Sequence, residues 1–298
     1  MALKDLLLSS LPQYCEKMPS GKTICFRPML VSEEKALMLA KSSGDQLNIL
    51  KTLESILLSC CTDLKKNDIK KLKLIDFEYL FLQLRAKSIG ETEGFSIICP
   101  ETKEQVNLRI DLLKDCKVIE QQVNNKIKIA ENLIIVMQEP TTEVLFKAPD
   151  YEQNEESFYK FIANCLKQVQ TVVEIKDCKE VSETELLDFV KTLTTQQLQK
   201  VLQYFDNIPR LEITKEYTTT DKVQRKLTIK GFFNHINFFF EHISIDIFYK
   251  QQFQLKYYHN YSIEELNGMI PWERTVHVEQ VKNQLEEKRK IHILQNGE

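Results

Sequence analysis

Apolar residues recur with helical spacing through the first ninety positions. In FRPMLVSEEKALMLAKSSGD, Pro28 and Leu30 predict extended chain and Ser32 is placed to cap a helix. Glu33 and Glu34 fill its first turn, where the helix dipole favours negative charge. Leu37, Leu39 and Ala40 carry this helix to about Ser43, and Gly44 ends it. Asp45 predicts the cap of a second helix over 46–61, with Leu50, Leu53, Leu57 and Cys61 on one stripe. Asp76 predicts the cap of a third, over 76–88, where Phe77, Leu80, Phe81 and Leu84 share a face. Tyr79, Leu82 and Ala86 form a second apolar stripe almost opposite. A helix that is apolar on two sides is buried on two sides, by its own domain or by a partner.

After Gly90 the period changes to two. Phe95, Ile97 and Cys99, then Val106, Leu108, Ile110 and Leu112, predict a hairpin across Pro100–Glu104. Ile127 and Ile129, then Leu133, Ile135 and Met137, predict two more strands, so one β unit is expected over about 93–140. Helix is expected again over 154–174, with Phe158, Phe161, Ile162, Cys165, Leu166, Val169 and Val173 inward. Ser182 with Glu185 forms a capping box, and Thr194 or Thr195 starts the next helix, which stops at Pro209. A second hairpin is expected from Leu211–Tyr217 and Arg225–Lys230. Phe232, Phe233, Ile236, Phe239 and Phe240 line a further helix, and another follows near 245–256. Ser262 with Glu265 repeats the capping box, and Pro271 opens a long final helix with a narrow stripe of Val278, Val281, Leu285 and His292. Such a helix projects from the body or lies on a neighbour.

The expected fold is α+β and mainly helical, in two lobes. Residues 1–23 read as a lightly ordered arm, 24–140 as a helical layer with a β insert, 141–154 as a connector, and 155–298 as a helix–hairpin–helix lobe. Composition narrows the function. Of 298 residues only 7 are glycine, and no phosphate-cradling glycine loop or nucleophile elbow can be read. A net charge of −3 argues against a dedicated nucleic-acid binder. The lysines at 65, 66, 70, 71 and 73 read as a solvated face. No apolar run is long enough for a membrane span, and the N-terminal apolar stretch is too short for a signal peptide, so a cytoplasmic chain is expected. Its eight scattered cysteines are then expected as free, mostly buried thiols, Cys60 and Cys61 included. No cofactor and no metal site is expected. His235 and His242 lie seven apart on one helix, with His259 beyond, which is not ligand spacing. The aromatic set at Phe232–Phe240, Tyr249, Phe253, Tyr257 and Tyr258 reads as core rather than as a base-stacking platform.

Three stretches together carry a family resemblance: FRPMLVSEEKALMLA (26–40), IDFEYLFLQLRAKSIGE (75–91), and PRLEITKEY (209–217) with NGMIPWER (267–274). They resemble the baseplate hub proteins of T-even-like contractile-tailed phages, a family that includes a hub subunit and a hub assembly factor. The agreement runs over roughly residues 24–290 and is most specific at 75–91. The resemblance implies a structural or assembly protein with no catalytic residues. It would act in the virion tail baseplate and, during assembly, in the host cytoplasm. Implied partners are other baseplate hub, tail-tube or tape-measure proteins and copies of the chain itself, with no membrane and no nucleic acid. It points to Arg27, Pro28, Glu33, Glu34, Lys35, Asp76, Arg85, Lys87, Ser88, Gly90, Glu91, Pro271, Trp272, Glu273 and Arg274. Some relatives carry cysteine pairs in their hairpins, as a zinc knuckle needs. Here YTTTDKVQRKL has none, and the first hairpin has only Cys99, with Cys116 beyond its end.

Read physically, those motif residues hold the fold. A guanidinium at Arg85, beside the Phe77 stripe, needs a carboxylate, and Glu33, Glu34 or Glu91 could supply it. Partner docking is expected at Tyr79 and Leu82 on the third helix and at Val278, Val281 and Leu285 on the last. Charge reversal at Arg274 or a polar residue at Leu285 is then expected to block incorporation and leave the fold intact. A transient chaperone of the hub or tape-measure protein is one rival reading, and a metal-dependent enzyme is another.

Overall fold

A computed structural model describes residues 11–120, 123–240 and 244–296. The described part of the predicted arm, from residue 11, enters a hairpin instead. Strand β1 (Tyr14–Lys17) pairs antiparallel with β2 (Thr23–Phe26), and Met18 at its turn is buried in the main core. The register sets Cys15 opposite Cys25, and the two form a disulfide. The expectation of free thiols is therefore wrong for these two. The pairing sets Cys15, in the segment expected as a lightly ordered arm, against Cys25, in the layer that follows it. The other six cysteines are free and buried. In the chain-entropy view, closing so short a loop contributes about 3 kcal/mol. Reduction, or Cys15→Ser, should lower the unfolding free energy by about that much in urea.

Helices α1 (Val31–Ser42), α2 (Gln46–Cys60), the short α3 (Lys66–Lys70) and α4 (Leu74–Ser88) follow. Asp45 caps α2 by accepting from Leu47 N–H. Two other caps differ from expectation. Helix α1 starts one residue before Ser32, and Glu33 reaches back to the Leu30 N–H. Helix α4 starts at Leu74, so Asp76 sits inside the first turn, where it accepts from the Ser20 N–H of the β1–β2 turn. The basic run is a solvated face, with Lys66 beside Glu54 and Lys73 beside Glu139.

The β3–β4 hairpin (Thr92–Ile98 with Gln105–Asp111) and strands β6 (Lys126–Ala130) and β7 (Leu133–Met137) lie where the alternation predicts. They do not form one unit. After the single turn α5 (Leu112–Asp115), strand β5 (Cys116–Ile119) leaves to pair with β10 (Arg210–Thr218), giving the three-stranded order β11-β10-β5 with β11 at Gln224–Ile229. The largest sheet, β6-β7-β8-β9, needs two strands the periodicity missed. Short helices α6 (Thr142–Lys147) and α7 (Glu155–Asn164) are followed by β8 (Leu166–Thr171) and β9 (Ile175–Asp177), where helix was expected to run on to 174. In LKQVQTVVEI the β-branched residues favour strand, and Val169 pairs with Ile135 of β7. Val173, expected inward, is 94% exposed at the hairpin tip.

Helices α8 (Glu183–Lys191) and α9 (Thr195–Asn207) are capped by Ser182 and Thr194, and α10 spans Phe232–Phe239. One core runs from Met18 to Phe240, with α4 at its centre. Phe77 of α4 packs edge-on to Phe81 at 5.2 Å and stacks on Phe232 at 5.4 Å. The two expected lobes thus share a single core as well as the β5–β10 pairing. A separate small core forms where α11 (Ile245–His259), α12 (Ile263–Gly268) and α13 (Pro271–Asn296) meet: Leu255, Leu266, Val278 and Val281.

Candidate functional site

The motif residues converge on three buried arginines. Arg27, at the end of β2, is 3% exposed and grips Glu33 through both terminal nitrogens at 2.6 and 2.9 Å. It also donates to Ser59 Oγ and to the carbonyl of the buried Pro28. Burial pushes the Glu33 carboxyl up, and the Arg27 guanidinium outweighs it, leaving the group below the usual carboxylate range.

Arg85 of α4 is 1% exposed and serves three segments at once. It donates to the carbonyls of Phe239 and Gly90 and to the Glu93 carboxylate. The carboxylate is thus none of the three expected. The chain reverses at Gly90, whose φ of +147° suits glycine, and Glu93 on β3 is brought under the guanidinium. Glu91 instead pairs with Lys87 on the surface, and its carbonyl accepts from Leu112 N–H. Buried Ser88 accepts from Met29 N–H at 2.8 Å, tying α4 to the segment before α1.

Arg274 is fully buried and bonds Glu34 at 2.6 and 3.4 Å, with its guanidinium 5.0 Å from the Phe248 ring centre. Val31 N–H donates to Met269 O beside it, and Val31 and Met38 pack on Phe248. This cluster anchors the C-terminal module to α1. Pro271 is buried, Glu273 caps α13 by accepting from Ile270 N–H, and Trp272 is 45% exposed.

The docking residues expected on α4 are not free. Leu82 is buried, Tyr79 packs partly buried against the core, and the body covers both apolar stripes. Val278 and Val281 are likewise buried inside the C-terminal module, with Leu285 partly covered at its edge. Further along the helix Ile291, Ile293 and Leu294 are exposed. The reversal expected at Arg274 to spare the fold would instead strike a buried ion pair. The core reading holds for Phe232, Phe233, Phe238, Phe239 and Phe240 but fails for Tyr249, Phe253, Tyr257 and Tyr258, which lie on the outer surface of α11. A single sequence shows helical spacing, but not which stripe faces inward when both are apolar.

An apolar notch of about 230 Å³ opens between α4, α7 and α9, with Phe158, Phe205 and Leu202 in its walls. Glu78 lies at its edge and faces His235, whose Nδ1 is 3.3 Å from Oε1 and whose Nε2 is 3.0 Å from the Ile229 carbonyl. The Tyr151 hydroxyl donates to Glu152. These polar groups are engaged with one another, and the His235 ring is closed in by its two acceptors. Burial pulls the imidazole down, but the Glu78 carboxylate and the Ile229 carbonyl outweigh it and raise it above the ordinary value. A raised folded-state pKa stabilises below the unfolded value, near pH 6.5, and that contribution fades as pH rises through the folded value. Unfolding in urea should therefore show stability falling above about pH 6.5, with a smaller fall in His235→Gln.

No group of three or more His, Cys, Asp or Glu able to hold a metal ion occurs among the described residues. The two hairpin tips meet through chemistry other than that of a zinc knuckle. Glu104 accepts from Thr220, Glu101 from Arg225, and the Tyr217 hydroxyl lies 3.8 Å from Cys99 Sγ. Cys116 is in β5, away from the tips. His259 is exposed, and His242 lies outside the described residues. No described helix is long and apolar enough to cross a membrane.

No characterised protein and no solved structure gives a significant match to the chain. Residues 11–239 match the profile of the family described as T4 bacteriophage base plate protein. That span takes in Arg27 with Glu33, Arg85 with Glu93, and all four sheets found among the described residues, and it ends before the C-terminal module. The chain belongs to the T4 bacteriophage base plate protein family.

Proposed function

We propose that the chain is a structural subunit of the baseplate hub, held in place by contacts with other hub, tail-tube or tape-measure proteins and with copies of itself. The observation that carries this reading is how the motif residues are used. Arg27, Glu34, Arg85, Ser88 and Arg274 are spent on the interior, with Glu33 turned to Arg27, so activity is left to the surface. Base plate family membership fits a role without catalysis, as does a notch whose polar groups are paired. The hub assignment rests on the sequence resemblance at 26–40, 75–91, 209–217 and 267–274. Tail localisation follows from the family, and the exposed Ile291, Ile293 and Leu294 of α13 offer one apolar surface for contact. Quantitative mass spectrometry of purified tails tests the reading. A fixed ratio to other hub proteins is expected. Presence only in assembly intermediates would favour the transient chaperone.

A further inference from the structure

Helix α11 carries the most aromatic of the exposed surfaces described. Its inner face, Phe248, Gln252 and Leu255, is buried against α1 and the C-terminal helices. Its outer face sets Tyr249, Phe253 and Tyr257 at i, i+4 and i+8, a ridge about 12 Å long. Phe253 is 65% and Tyr257 68% exposed, and their rings stack at 5.7 Å. Large apolar side chains left in water in so tight a group mark a contact surface. The charges beside them are mostly positive. Lys35 of α1 sits 5.0 Å over the Tyr249 ring, and Lys250 and Lys256 flank the ridge. Asp246 is the one acid on that face of the helix, and no carboxylate among the described residues pairs with Lys250 or Lys256. This basic surface stands on a chain of net charge −3. It is also held firmly, because Arg274 and Glu34 fix the module to the body, and it lies beyond the part matched to the family.

We infer that the Tyr249–Phe253–Tyr257 face of α11 docks an acidic amphipathic helix of another baseplate protein. A straight ridge at helical spacing fits the groove between the residue rows of a second helix. A strand finds no partners here, since the α11 backbone is hydrogen-bonded within the helix and an incoming strand would leave its own groups unpaired. The three lysines select Asp and Glu around the partner's apolar stripe. The inference rests on the chain working through protein contacts, though not on its being in the hub.

The test is photo-crosslinking in infected cells with Phe253→p-benzoylphenylalanine, which keeps an aromatic ring on the ridge. The crosslinked peptide is read by mass spectrometry. The expected product joins Phe253 to a helical segment of a baseplate protein rich in Asp and Glu. In a Lys250→Glu/Lys256→Glu background, which changes only exposed positions and should leave the unfolding midpoint unmoved, its yield should fall about tenfold. No adduct, an adduct with a second copy of this chain, with nucleic acid or with a neutral or basic segment, or a yield insensitive to charge reversal would each overturn it. Because the adduct is scored in cells, absence of the chain from purified tails would count against the proposed function without deciding this surface.

Discussion

Arg274→Glu is expected to detach the C-terminal module and lower stability by at least about 3–5 kcal/mol, the usual cost of breaking a buried ion pair from one side. Arg274 is 0% exposed and Glu34 1%, so neither charge has water to fall back on. The substitution removes the guanidinium from Glu34 and sets a second carboxylate in its place. It also strips the cation from the Phe248 ring, which packs on Val31 and Met38. Urea unfolding and limited proteolysis should show an early transition with release of residues 244–296. Glu34→Leu combined with Arg274→Met should recover much of the loss, because an apolar pair of similar volume avoids the desolvation cost. A docking role without a structural one predicts the opposite: Arg274→Glu within about 0.5 kcal/mol of the parent, as for ordinary surface changes.

Arg85→Ala should cost a similar amount, about 3–5 kcal/mol, for a different reason. Its guanidinium joins the end of α10, the turn at Gly90 and the start of β3 through Phe239 O, Gly90 O and Glu93. Truncation leaves two carbonyls and a mostly buried carboxylate without donors. Arg85→Lys should recover less than half of the loss, since an ammonium on a flexible stem does not reach three acceptors in fork geometry. Equilibrium denaturation of the three proteins measures this. Full rescue by lysine would show that charge, not geometry, is what the site needs.

Much of the local structure was legible, and the reason is chemical. Asp45, Ser182, Thr194 and Ser262 announce helix starts because a short oxygen-bearing side chain satisfies first-turn N–H groups. The hairpins at 92–111 and 210–229 announce themselves by alternation. Long-range facts were less legible. Nothing local to Cys116–Ile119 says that it pairs with Arg210–Ile213, ninety residues on. Leu166–Thr171 reads as helix until β7 supplies a partner strand. The buried role of Arg85 is legible as a cation beside an apolar stripe, but not which acid answers it, because Glu93 arrives only through the reversal at Gly90; the burial of Arg274 against Glu34, 240 residues away, has no such local sign. The exposed face of α11 was misread for a related reason. Phe248 and Phe253 are equally apolar, and only packing against α1 separates the inner from the outer.

A cryo-electron microscopy map of isolated baseplates tests most directly whether this chain serves as a resident structural subunit. The account predicts density for the four-sheet body in the hub, with Arg85 and Arg274 interior and the α11 ridge covered by a neighbouring chain. A complete hub with no density for this fold would contradict it.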